Sequence, residues 1–179
     1  MHQAIVIGST TTTKDWLQNC LNSFGKYDKY PIIVVVNDDF ELGKLKWVYD
    51  NTSLDEIFLL HDTIEIRDLS LFEEAFDECQ GKSYALSDHP AYMGMYLGKY
   101  RREVLDKLPM PVTKTKREAV DQEVLFNQAY ANLETNKVVV DPPLRNTDVF
   151  CDKFGRKNMV LENQYIRKYK ATWSADMVV

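Results

Sequence analysis

Three apolar runs of strand length, each cut off by polar residues, constrain this chain more than any other feature. They cover Gln3 to Gly8, Ile32 to Val36 and Ile57 to Leu60, and they stop at Ser9-Thr10, Asp38-Asp39 and His61-Asp62. Runs this apolar suit strands buried on both faces, as in the middle of a parallel sheet. The wholly β-branched run Ile32 to Val36 predicts a central strand. Between the runs lie two helical patterns. The first carries Trp16, Leu17, Cys20, Leu21 and Phe24 on one face, with Thr12-x-x-Asp15 at its start; the second carries Leu42, Leu45, Val48 and Tyr49. The order βαβαβ predicts an α/β sandwich with a mostly parallel central sheet. Right-handed crossovers would bring all three polar ends to one edge. Ligands bind at that edge in open α/β sheets.

Farther along, Ser70-x-x-Glu73 opens a helix with Phe72, Ala75, Phe76 and Cys79 on one face. Strands are expected over Lys82 to Leu86, Tyr92 to Leu97 and Val138 to Val140. Helices are expected around Val104 to Leu108, over Glu118 to Ala131 and near Leu161 to Lys168. Neither repeat nor linker divides the chain, so one domain over 1–179 is expected.

Composition narrows the class. The chain is 45% hydrophobic and 27% charged, with no apolar run of bilayer-spanning length. Its start reads as a strand rather than a secretory signal, and three scattered cysteines lack metal-ligand spacing, so a reduced cytoplasmic protein is expected. The net charge of −5 hides an asymmetry: residues 1–90 carry 7 Lys/Arg and 16 Asp/Glu, whereas residues 91–179 carry 15 and 11. The basic half invites a small anion such as a diphosphate more than a nucleic-acid backbone, because the pI is near 5.2.

The strand ends carry the chemistry. Ser9, Thr10 and Thr11 open a hydroxyl-rich loop that either cradles phosphate at a helix start or simply caps that helix. The loop is neither a Walker loop nor a dinucleotide fingerprint. Adjacent Asp38 and Asp39 call for a cation or for a donor such as a ribose hydroxyl or base N–H, unless they serve only as a turn and N-cap. Asp62 beside His61 suggests a metal or a phosphate-bearing ligand, or a plain polar turn, although neighbours on a strand alternate faces. His89, before Pro90, is a further candidate, facing an acceptor.

Val34-Val35-Val36-Asn37-Asp38-Asp39 followed by Phe58-Leu59-Leu60-His61-Asp62-Thr63 resembles a GT-A glycosyltransferase of the family 2-like type. Gly94 to Leu105, with its Arg101-Arg102-Glu103-Val104-Leu105 helix start, is similar to that family's segment beside the donor sugar. Val120-Asp121-Gln122-Glu123 is similar to the helix start bearing its catalytic base. The likeness covers roughly residues 3 to 131. It implies a GT-A-like three-layer sandwich, with a nucleotide-binding half over 1–90, an acceptor and catalytic half over 91–145, and a basic lid or tail over 146–179. It implies an inverting transfer of sugar from a nucleotide-sugar donor, of the uridine diphosphate type, to an acceptor hydroxyl on a glycan or on a modified nucleobase in DNA. Asp121 would be the general base, with Glu123 its rival. Asp62, with His61, would hold a divalent cation, Mn²⁺ or Mg²⁺, at the diphosphate. Ser9, Thr10, Thr11, Asp38, Asp39, Arg156 and Lys157 would bind the nucleotide, and His89 and Trp173 the acceptor.

The chain departs from the family pattern twice: Leu60 stands where the first Asp of Asp-x-Asp is expected, and Val120 precedes the base. Two other readings remain open. The hydroxyl loop also resembles that of flavodoxin-like FMN proteins, and the incomplete Asp-x-Asp also suits a non-catalytic nucleotide-sugar or glycan-binding module.

Overall fold

A computed structural model describes residues 1–88, 97–151 and 157–171. β1 (Gln3–Ser9), α1 (Lys14–Ser23), β2 (Ile32–Val36), α2 (Glu41–Asn51) and β3 (Glu56–His61) form the expected βαβαβ unit. β4 (Ile64–Ile66) and α3 (Ser70–Glu73) follow, with a π-helical turn at Glu74–Glu78, then β5 (Ser83–Ala85) and β6 (Gly98–Arg101). α4 (Arg102–Leu105), α5 (Lys116–Leu133), β7 (Lys137–Val139), β8 (Arg145–Cys151), β9 (Lys157–Glu162) and β10 (Ile166–Ala171) complete the described chain.

Six strands make the main sheet in the order β2-β1-β3-β6-β5-β7. β6 pairs antiparallel with both neighbours, and the remaining pairs are parallel. The sheet is therefore mixed but mostly parallel in direction. Alternate residues of its strands feed two cores. Ile5, Ile7, Phe58 and Leu60 join Cys20 and Phe24 of α1 and Phe72 of α3, while Val6, Ile57 and Leu59 join Leu45 of α2 and Phe126 and Tyr130 of α5. Burying apolar surface on both faces is what fixes the register of such strands.

A buried ion pair ties the sheet to the π-helical turn. Lys99 Nζ on β6 donates to Glu56 Oε2 at 3.0 Å and to the Cys79 carbonyl at 2.9 Å, and it also bonds the Ala75 carbonyl. Glu56 accepts further bonds from Gln3 Nε2 and the Gly81 amide, both at 2.8 Å. Each charge is thus satisfied where water is excluded, the condition for burying it.

Three expectations change. The β-branched run Ile32 to Val36 forms an edge strand, with Val34 37% and Val36 48% exposed. Branching favours extended backbone whether or not both faces are covered. The helix expected near Leu161 to Lys168 is instead parts of two strands joined at Asn163: β9 and β10 pair antiparallel, with Arg167 opposite Glu162. Burial of Ile166 and Lys168 on one side of the strand is a period of two, which the basic residues had masked. β4, β10, β9 and β8 form a second, four-stranded sheet, which holds most of the described part of the segment expected as a basic lid or tail. Strand β6 begins at Gly98, after the expected Tyr92 to Leu97, of which 92–96 lie outside the described residues.

Part of the basic charge in the second half is bound within the chain. Arg101 pairs with Glu134 at 3.0 Å, and Arg102 donates to the carbonyls of Tyr49, Thr52 and Leu54. Arg145 pairs with Asp88 at 2.6 Å.

Candidate functional site

The ends of β1, β2 and β3 meet at one edge, as parallel pairing requires. Asp62 follows β3 directly, and its amide donates to the Gly8 carbonyl at 3.0 Å, which holds the residue against β1. Its carboxylate is buried, and Oδ2 accepts from the hydroxyls of Ser9, at 2.8 Å, and of Thr13. The next loop residue reaches the other way: Thr11 donates its hydroxyl to Asp38 Oδ1 at 2.8 Å and its amide to the same oxygen at 3.2 Å. These two bonds hold the Asp38 carboxyl below the usual aspartate range. Two hydrogen-bonded sets therefore sit side by side at the three strand ends, Ser9 and Thr13 on Asp62 and Thr11 on Asp38. Thr10 joins the first through its hydroxyl, 3.0 Å from that of Thr13.

A loop whose hydroxyls already face two carboxylates is a poor cradle for a bare phosphate, which weighs against the flavodoxin-like reading. It suits a ligand that offers donors, or a phosphate that arrives with a cation.

Beside this group lie buried charges that sequence reasoning missed. Lys44, 2% exposed, crosses the end of β1 and hydrogen-bonds the Asp39 carbonyl. Gly8 makes room for it, since a Cβ there would lie 2.5 Å from Lys44 Cδ. A glycine ending an otherwise bulky strand was the available signal for a close approach. Lys168 on β10 is also buried, with Nζ 2.9 Å from His61 Nδ1 and 3.2 Å from Thr63 Oγ1. Nothing in local sequence pointed to it, because its position depends on the pairing of β10 with β4.

His61 turns away from the carboxylate group. Its Nδ1 lies near Lys168 and 3.7 Å from Glu41 at the start of α2. A cation on that nitrogen would meet the Lys168 ammonium, so Nδ1 is not placed to share a cation with Asp62. Among the described residues no group of three or more His, Cys, Asp or Glu side chains is arranged to hold a metal. What remains at Asp62 is a set of hard oxygen donors, one carboxylate with hydroxyls. That set fits Mg²⁺ or Mn²⁺ brought in on substrate phosphates, which needs only one or two protein carboxylates. Leu60, fully buried in the core, contributes no ligand.

Cys20 lies beneath the edge, its thiol pushed up to about 12 by burial and then by the Asp62 charge. A thiol so held is no nucleophile.

Asp121 is not at a helix start. α5 begins at Lys116 with a capping box of Thr115 and Glu118, and Asp121 sits exposed on its second turn, with Glu123 half-buried beyond. The level of Asp121 follows from topology. Glu134, just past the end of α5, bonds Ser83 at the amino end of β5. α5 then leads into β7, which is parallel to β5, so the helix descends from the carboxyl edge to the amino edge of the sheet. Thirteen residues of helix between Asp121 and Glu134 span about 20 Å. This matches the length of a seven-residue strand such as β1. Asp121 thus lies toward the carboxyl edge from Glu134, on the face that α2 covers. His89, Arg156 and Trp173 lie outside the described residues, as does the side chain of Lys157.

No protein-family model matches the chain, and no curated protein matches it in sequence. Solved structures do share its fold. S. aureus TarS 1-349 superposes with a TM-score of 0.54 at 12% identity, covering 79% of this chain and 58% of that one. Another S. aureus TarS structure gives 0.51 at 11% identity, over 78% of this chain and 35% of the other. A197 from STIV gives 0.53 at 11% identity, over 91% and 95%. The chain thus spans little more than half of TarS 1-349. TarS is a glycosyltransferase of the GT-A type, and the mixed α/β architecture here is compatible with a GT-A-like fold.

Proposed function

We propose that this chain is a GT-A-like, three-layer glycosyltransferase that moves a sugar from a nucleoside-diphosphate donor to an acceptor hydroxyl with inversion. The observation that carries the reading is the meeting of three parallel strand ends at one sheet edge, with Ser9 on Asp62 and Thr11 on Asp38. The fold shared with TarS supports it.

In this reading Asp38, kept ionised by Thr11, accepts from a ribose hydroxyl or base N–H, and Asp39 lies beside it. Asp62 faces the diphosphate and would hold a divalent cation there, which would neutralise charge on the leaving group. Lys44 and Lys168 add buried positive charge near the same edge. The acceptor oxygen bonds to the anomeric carbon as the bond from that carbon to the diphosphate oxygen breaks. The electron pair leaves with the diphosphate, and the acceptor proton passes to Asp121 or its rival Glu123. Arg156 and Lys157 at the donor, and His89 and Trp173 at the acceptor, complete the proposed set.

The test is turnover of a panel of nucleotide sugars, uridine diphosphate sugars first, with and without Mn²⁺ or Mg²⁺. Asp121→Asn should lower kcat by about 10²-fold or more with little change in KM. No turnover and no nucleoside diphosphate binding would sink the proposal. One observation favours a second reading, a non-catalytic binding module: Leu60 has gone into the core where a second carboxylate is expected. Nucleotide binding without turnover, unchanged in Asp121→Asn, would support it.

A further inference from the structure

Trp16 was expected on the buried face of α1, but it is 41% exposed. Its ring meets that of Tyr169 on β10, with centroids 5.3 Å apart and planes at 41°. The pair lines an open cleft of about 610 Å³ between α1 and β4, whose other walls include Asn19, Asn22, Glu65 and Asp62. That volume falls within the range of roughly 300–1,000 Å³ typical of ligand sites.

We infer that this cleft binds a short, neutral oligosaccharide. Exposed aromatic faces give the apolar C–H faces of a pyranose a surface to stack on. Asn19 and Asn22 supply side-chain amides that both donate and accept, and Asp62 and Glu65 supply acceptors, which matches the mixed donor and acceptor character of sugar hydroxyls. The two carboxylates, with no Lys or Arg among the described lining residues, disfavour an anion that brings no cation with it, such as a free phosphate, a sulfated glycan or a nucleic-acid strand. A quaternary ammonium ligand is disfavoured because the Arg167 guanidinium already stands 5.7 Å from the Tyr169 ring centroid. The cleft opens at Asp62, so a chain held there would lie beside the edge to which donor binding is assigned above, while its aromatic wall, Trp16 and Tyr169, takes no part in that assignment.

The experiment is calorimetric titration of the protein with cellotriose, maltotriose and tri-N-acetylchitotriose, with a heparin trisaccharide and choline as competitors of other chemistry. At least one neutral trisaccharide should bind with a Kd at or below about 1 mM. Trp16→Ala and Tyr169→Ala should each weaken it tenfold or more. Trp47→Ala, a similarly exposed tryptophan outside the cleft, should leave it unchanged. Uridine diphosphate binding should persist in Trp16→Ala, which keeps this proposal separate from the donor site. Failure of all three neutral sugars, tighter binding of heparin or choline, or equal loss in Trp47→Ala would overturn it.

Discussion

Gly8 and Lys44 share one space at the end of β1, and that crowding shapes the site. In Gly8→Ala the new methyl would stand 2.5 Å from Lys44 Cδ, forcing the buried side chain off the Asp39 carbonyl. Unfolding by urea should show a loss of about 1–3 kcal/mol. Thr11→Val tests a finer point. It removes the hydroxyl bond that, with the Thr11 amide bond, depresses Asp38. An NMR titration should show the Asp38 pKa rising toward the ordinary aspartate value in that variant. Because the folded value is the lower one, the stabilising effect is present above the unfolded pKa and fades as pH falls through the folded value. At this scale the meeting of the carboxylates and hydroxyls was legible, since parallel strands bring their polar ends to one edge. Lys44 and Lys168 were not, because a lysine on a helix or edge strand normally reads as solvated and only tertiary pairing buries it.

Among the elements, β5, β6 and the π-helical turn form the tightest junction. Gly98 has φ +144°, and a Cβ there would lie 2.0 Å from the Tyr84 carbonyl oxygen, which belongs to backbone and has no room to shift. Gly98→Ala should cost more than about 3 kcal/mol, or leave little soluble protein, as read by expression and by denaturation of what remains. Lys99→Met leaves Glu56 buried without its cation and should cost about 3–5 kcal/mol by the same measurement. The βαβαβ unit was readable because hydrophobic period and strand length agreed over each element. The second sheet was not: β9 and β10 are amphipathic strands rich in charge, and their register depends on partners far away, β10 on β4 across about a hundred residues. The edge position of β2 was hidden for a similar reason, since β-branched composition reports extended backbone and not the number of neighbouring strands.

Over the whole molecule, the acidic first half supplies the carboxylates of the edge, while the second half returns two contributions to it. One is the buried Lys168; the other is α5, which runs from the carboxyl edge and carries the proposed base Asp121. Part of the basic charge of the second half is bound within the fold, at Lys99, Arg101, Arg102 and Arg145. No described helix is long and apolar enough to cross a membrane. The central claim is that the edge formed by β1, β2 and β3 binds a nucleoside diphosphate. Thermal unfolding in the presence of uridine diphosphate, with Mg²⁺ or Mn²⁺, tests it directly. Ligand at a hundred times its Kd adds about 2.7 kcal/mol, and a domain of this size gains roughly 2–4 °C per kcal/mol. The predicted result is a rise in Tm of about 5–10 °C that Asp38→Asn largely removes. A shift below about 1 °C with uridine diphosphate and with every other nucleoside diphosphate, under either cation, would contradict the account.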